Sequence, residues 1–143
     1  MFNEILTSGD YNYGHVTVAG KTVLAHRSDM NHANEIFSVN SKGNATPLTH
    51  INDAIYNEIK LSKIEKRMVK TSDGKDMLTW VIYPPDFDES KKYPTLLYCQ
   101  GGPQSAVSQF YSFRWNFQLM AAKGYIVVAP NRRGVPGFGH EWN

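Results

Sequence analysis

The sequence predicts a mixed α/β chain: an antiparallel β-meander the size of a single propeller blade, followed by the opening part of a sheet built by a strand–helix–strand crossover. Three observations predict it. Before residue 60, four short strand-like runs alternate with turn residues. After it, two continuous apolar runs, residues 95–99 and 125–130, read as strands of a sheet covered on both faces. Between those runs, Phe110, Phe113, Phe117, Met120 and Ala121 recur at three- and four-residue spacing, as on one face of a helix.

Taken in order, the first strands are Val16-Thr17-Val18 and residues 22–26, joined by a turn at Gly20-Lys21. Residues 35–40 form the third, Ser41-Lys42-Gly43-Asn44 turns the chain, and Thr46-Pro47-Leu48-Thr49 supplies the fourth. Such a blade standing alone has raw edges and uncovered faces, so the reading expects neighbouring blades before Met1. From Leu61 the character changes, and a domain boundary is expected there, with residues 1–60 the end of a propeller and 61–143 the start of a second domain. Residues 61–69 and 77–83 are extended around Asp73-Gly74, a hairpin signal. Pro84-Pro85-Asp86 breaks that segment, the buried-type strand at 95–99 follows, and a helix is expected from about Ser105 to Lys123, stopped by Gly124.

At 143 residues, with 41% hydrophobic and 20% charged residues, the chain has globular composition. A net charge of +2 argues against a nucleic-acid partner. No apolar stretch approaches membrane-spanning length, so no membrane partner is expected. The N-terminus, Met1-Phe2-Asn3-Glu4-Ile5-Leu6, lacks the basic region and apolar core of a secretory signal. The single cysteine, Cys99, excludes an intrachain disulfide and lies within an apolar run, so it is expected to be a small buried strand residue. The compartment stays open between cytoplasm and periplasm.

The best chemical clue is Gln100-Gly101-Gly102-Pro103, between the 95–99 strand and the helix-like stretch. Paired glycines let backbone N–H groups turn toward a developing negative charge, as in the loop after the third strand of an α/β-hydrolase. The companion Gly-x-Ser-x-Gly elbow is absent from these residues. A plain tight turn would also explain the glycines. Gly134, Gly137 and Gly139 run in the reverse of the dinucleotide-binding order, and no cofactor is expected. His15, His26, His32, His50 and His140 show no metal-ligand spacing, so no metal is expected. The basic run Lys60, Lys63, Lys66, Arg67, Lys70 suits the solvent face of an edge strand.

These residues together resemble the prolyl oligopeptidase family of serine peptidases, in its dipeptidyl-peptidase and acylaminoacyl-peptidase branches. Glu35-Ile36-Phe37 and Leu48-Thr49-His50-Ile51-Asn52 look like the close of its propeller. Thr71-Ser72-Asp73-Gly74-Lys75 and Trp80-Val81-Ile82-Tyr83-Pro84-Pro85 look like its first hydrolase hairpin. Lys92-Tyr93-Pro94, the Gln100–Pro103 loop and Asn131-Arg132-Arg133-Gly134 through Gly139 match later signatures in order. The resemblance implies a propeller blade followed by the N-terminal part of an α/β-hydrolase sheet. It implies a Ser, Asp, His triad lying past Asn143, so the chain alone is expected to be inactive. It makes the Gly102 N–H an oxyanion donor and places Gln100 and Arg114 at the substrate. Gln100 stands where acylaminoacyl-type relatives carry His; it either lies by the acyl oxygen or braces the loop. Arg114 either sits near the pocket or is a surface or helix-bracing arginine. The implied function is that of a serine exopeptidase acting on short peptides. Two alternatives stay open: a non-catalytic module that homodimerises by pairing open sheet edges, and an esterase or lipase of the α/β-hydrolase class.

Overall fold

The computed structural model of the chain describes residues 5–101 and 105–142. They form two compact units, Met1–Lys60 with Ser108–Phe113, and Leu61–Val107 with Arg114–Asn143.

In the first unit, β1 (Asn12–Ala19), β2 (Thr22–Ser28), β3 (Glu35–Val39) and β4 (Ala45–Pro47) pair antiparallel in sequence order, the expected meander. The β3–β4 turn is built by Asn40, whose Oδ1 accepts the N–H groups of Lys42 and Asn44 at 2.9 and 3.1 Å. Gly43 completes that turn at φ +82°, where a Cβ would lie 1.8 Å from the Leu6 carbonyl oxygen. β1 is longer than its apolar triplet suggests, because a bulge between Gly14 and Thr17 absorbs His15 at φ 47° and lets pairing resume. One sheet face carries Ala25 opposite Phe37 and Val23 opposite Val39. On the same face Arg27 lies between the rings of Tyr11 and Phe37, 4.0 and 3.7 Å from their centroids. A short helix, α1 (Asp53–Tyr56), follows β4. The Tyr56 hydroxyl accepts the Ala33 N–H at 2.7 Å, tying α1 to the β2–β3 connection.

The second unit contains β5 (Ile64–Lys70), β6 (Asp76–Ile82), β7 (Thr95–Leu97), α2 (Phe117–Ala122) and β8 (Ile126–Pro130), with sheet order β5-β6-β8-β7. The β5–β6 hairpin turns where expected: Gly74, at φ +79°, donates to the Thr71 carbonyl, and Thr71 donates to Lys75. β7 and β8 pair in parallel, as a strand–helix–strand crossover requires. The central strands β6 and β8 bury Trp80, Val81, Ile82, Val127 and Ala129, and Phe117 and Ala121 of α2 are buried with them. Each large apolar side chain fully buried there contributes about 1.5–3 kcal/mol. A 3₁₀ turn at His140–Trp142 brings the buried Trp142 beneath the β8 exit. Among the described residues no helix is long and apolar enough to cross a membrane.

Two sequence expectations fail here. The helix expected over residues 105–123 is only the six residues Phe117–Ala122. Asn116 caps it, accepting the N–H groups of Gln118 and Leu119 at 2.8 and 3.3 Å, and Gly124 ends it at φ +86° as expected. The upstream residues are committed elsewhere: Ser108–Phe113 belongs to the first unit, where the buried Gln109 accepts the Met30 N–H at 3.2 Å. Phe113, placed on the expected helix face, is 83% exposed. The second failure is the buried character of residues 95–99. Within these residues β7 is the edge strand of its sheet, and there Leu97 is 64% exposed and Cys99 exposed.

Candidate functional site

Parallel β7 and β8 end side by side, so the loops that leave their carboxyl ends emerge together. The Tyr98 N–H donates to the Val128 carbonyl at 2.8 Å, extending the pairing one residue past β7. Gln100 and Gly101 follow at once. Gly101 is exposed, and a Cβ on it would meet nothing within 4 Å. The Gln100 side chain is half-buried, and its Oε1 is buried without a hydrogen-bond partner among the described residues. Gly102, the oxyanion donor expected from the resemblance, lies outside the described residues.

The loop leaving β8 is anchored far more heavily. Asn131 is fully buried; its N–H donates to Leu78, its Oδ1 accepts the Val107 N–H at 2.7 Å, and its Nδ2 donates to the Val107 carbonyl at 3.1 Å. The Trp80 indole also donates to that carbonyl, at 2.9 Å. Trp142 Nε1 donates to the carbonyls of Asn131 and Arg132 at 3.1 and 3.0 Å, and Gly134 N–H donates back to the Trp142 carbonyl at 2.8 Å. Arg132 then extends its guanidinium to the Gln100 carbonyl, Nη2 to oxygen 3.2 Å.

Around this core runs an exposed charge network. Arg133 pairs with Asp73 of the β5–β6 turn, donates to the Glu141 carbonyl at 2.9 Å, and lies 4.9 Å from the Trp142 ring centroid. Lys75 pairs with Glu141 at 3.0 Å. The Thr71 hydroxyl first, and then Arg133, hold the Asp73 carboxyl below its ordinary value; Lys75 does the same for Glu141. Among the described residues no group of three or more His, Cys, Asp or Glu side chains is arranged to hold a metal ion.

Of the residues singled out from sequence, Gln100 sits at the convergence of the β7 and β8 loops. Arg114 lies in the irregular stretch before α2, exposed, with its guanidinium 5.8 Å from the centroid of the neighbouring Trp115 ring. The sequence marks Arg132 only as part of a loop signature and assigns it no role. The signal that could have singled it out is its place two residues past β8, beside the parallel strand that leads into the glycine pair.

In the first unit, a groove of about 420 Å³ is lined by Tyr11, Arg27, Asp29, His32, Glu35 and Tyr56, among others. His32 Nδ1 lies 2.8 Å from Asp29 Oδ1, and the Asp29 carboxylate also accepts the backbone N–H groups of Asn31 and His32. Its hydrogen bond to Asp29 raises the His32 ring above the ordinary histidine value, against burial. Burial pushes the Asp29 carboxyl up, but His32 and the two backbone donors together hold it below its ordinary value.

A model of the Prolyl oligopeptidase family matches residues 111–143. The chain is 52% identical to dipeptidyl-peptidase 5 of Porphyromonas gingivalis over 139 residues, covering 96% of the chain and 20% of that relative. Its fold superposes on the Pyrococcus horikoshii acylaminoacyl peptidase with a TM-score of 0.81 at 22% identity, over 94% of this chain and 21% of the other. An acylaminoacyl peptidase in complex with Z-Gly-Gly-Phe-chloromethyl ketone gives 0.83 at 23% identity, over 96% and 21%. The fold is therefore the expected one, a propeller-type meander followed by the first part of a hydrolase sheet, and the chain spans about a fifth of the length of the relatives it matches. With the ordered motifs and the parallel β7–β8 exit in agreement with these matches, residues 111–143 match the prolyl oligopeptidase family and the chain as a whole is similar to dipeptidyl-peptidase 5 in sequence and to acylaminoacyl peptidases in fold.

Proposed function

We propose that this chain is a section of a serine exopeptidase that hydrolyses short peptides, comprising the end of its propeller (residues 1–60) and the start of its catalytic domain (61–143). The observation that carries the reading is the position of Gln100-Gly101 at the carboxyl end of β7, beside the exit of parallel β8. Ligands and reacting groups of open α/β sheets collect at such strand ends. In the reaction, a serine Oγ supplied past residue 143 attacks the peptide carbonyl while a histidine takes its proton. The carbonyl electrons move onto oxygen, and the N–H groups of Gly102 and of the residue after the serine donate to that oxyanion. The histidine then gives its proton to the leaving amine, and water repeats the sequence on the acyl-enzyme. Gln100 and Arg114 are assigned to the substrate side of this site.

The exposed apolar edge of β7 supports the same reading, since a hydrolase sheet continues with further strands and helices that would cover Leu96 and Leu97. The same edge also favours a second reading, a homodimer formed by edge pairing. The test is to express the full-length protein that carries this segment and assay a chromogenic dipeptide, with and without a serine-directed phosphonate. Turnover abolished by the phosphonate supports the peptidase. A stable dimer with neither turnover nor phosphonate labelling overturns it in favour of the interaction module, and turnover of simple esters without peptides favours an esterase.

A further inference from the structure

The glycine pair is entered through one peptide group, that of Gln100, and this group is held from the loop that leaves the neighbouring strand β8. Arg132 Nη2 donates to the Gln100 carbonyl at 3.2 Å, and Nη1 of the same guanidinium donates to the Arg133 carbonyl at 2.8 Å. The arginine's own backbone has little freedom. Its carbonyl accepts from the buried Trp142 indole, and the preceding Asn131 is locked by its two side-chain hydrogen bonds to Val107. Gly134, at φ +90°, leaves room for the guanidinium: a Cβ there would lie 3.3 Å from Arg132 Nη1.

From this arrangement we infer that Arg132 is a positioning residue for acyl transfer, its guanidinium clamping the Gln100 carbonyl so that the peptide entering the glycine loop keeps one orientation. The inference rests on the function proposed above. A planar guanidinium that donates from two nitrogens at once fixes direction as well as distance, which a lysine ammonium does less well. Donors to an oxyanion must meet it within a few tenths of an ångström, so releasing the loop entry weakens transition-state binding more than ground-state binding. Arg132 itself touches neither the substrate nor the reacting atoms in this assignment.

The test uses the full-length protein with Arg132→Met and Arg132→Lys. For Arg132→Met, kcat on a chromogenic dipeptide is expected to fall about 10- to 100-fold. KM should move by less than about twofold, and the rate of serine modification by a phosphonate should fall in parallel with kcat. Arg132→Lys should recover part of kcat. Wild-type kcat in the methionine variant, or a lysine variant no better than methionine, overturns the role. If the methionine variant does not fold, the lysine variant decides: reduced kcat at unchanged KM supports the clamp, and unchanged kcat ends it. A wild-type protein inert to dipeptide and phosphonate removes the proposed function instead. The clamp is then read by hydrogen exchange of residues 99–101, faster in the variants if Arg132 holds the loop and unchanged if it does not.

Discussion

Replacing Asn131 by alanine removes the pair of hydrogen bonds that join the β8 exit to Val107, one accepted from the Val107 N–H at 2.7 Å and one donated to its carbonyl at 3.1 Å. Both residues are fully or almost fully buried, so water does not replace the lost partner. The carbonyl keeps the Trp80 indole donor, but the Val107 N–H loses its partner. Each net hydrogen bond is worth about 1 kcal/mol, and a buried orphan donor costs about 1–3 kcal/mol, giving a loss of about 2–4 kcal/mol. At 1.36 kcal/mol per factor of ten, that corresponds to about 30- to 1,000-fold faster hydrogen exchange at Val107 in the full-length protein. Asn131→Asp sharpens the test. Its carboxylate still accepts from the Val107 N–H but sets a second oxygen against the Val107 carbonyl, whereas the protonated acid restores a donor. Burial raises the carboxyl pKa, so this variant should be least stable at alkaline pH and recover as pH falls. Unchanged exchange at Val107 in the alanine variant would refute the assignment of Asn131 as the anchor of this loop.

Three further outcomes are expected. Gly43→Ala should destabilise the full-length protein by clearly more than the roughly 1–2 kcal/mol of a left-handed alanine, because the new Cβ meets the Leu6 carbonyl, while Gly20→Ala, at φ +63° in open space, should cost only that conformational amount; equal losses in parallel denaturant titrations would disprove the close approach. Asn116→Ala should lose about 1 kcal/mol through the α2 cap, seen as faster exchange at Gln118 and Leu119, and no change there would refute the capping role. The His32–Asp29 pair should make stability pH-dependent. With the His32 ring held above its ordinary 6.5, its contribution is full below that value and is lost as pH rises through the higher folded value. With Asp29 held below 3.8, its contribution is full above that value and is lost as pH falls through the lower folded value. Arg27 opposes and Asp53 supports the charge on His32, and the Tyr56 ring packs edge-on against the imidazole. His32→Ala should therefore lower the unfolding free energy, by under about 1 kcal/mol for so exposed a pair, most near about pH 5 and least at alkaline pH in denaturant titrations; a deficit independent of pH would show that the pair contributes by packing alone.

What the sequence determined by itself was local. The four meander strands, the Gly74 hairpin turn and the Gly124 helix stop follow from alternation, turn chemistry and positive φ, which a few adjacent residues encode. The ordered motifs carried the family resemblance, and the Gln100-Gly101 loop could be picked out from the residues alone. Burial and partnership were decided by the tertiary structure. Residues 95–99 read as buried because they are apolar, yet within these 143 residues β7 is the edge strand, and the sheet order leaves Leu97 and Cys99 exposed there. The periodicity that suggested a helix over 105–123 was outweighed once Ser108–Phe113 joined the first unit through Gln109. The grip of Arg132 on Gln100 spans 32 positions and exists because two parallel strands end side by side. Local sequence specifies turns and periods, whereas the neighbour on the other side of a strand or loop comes from a distant part of the chain.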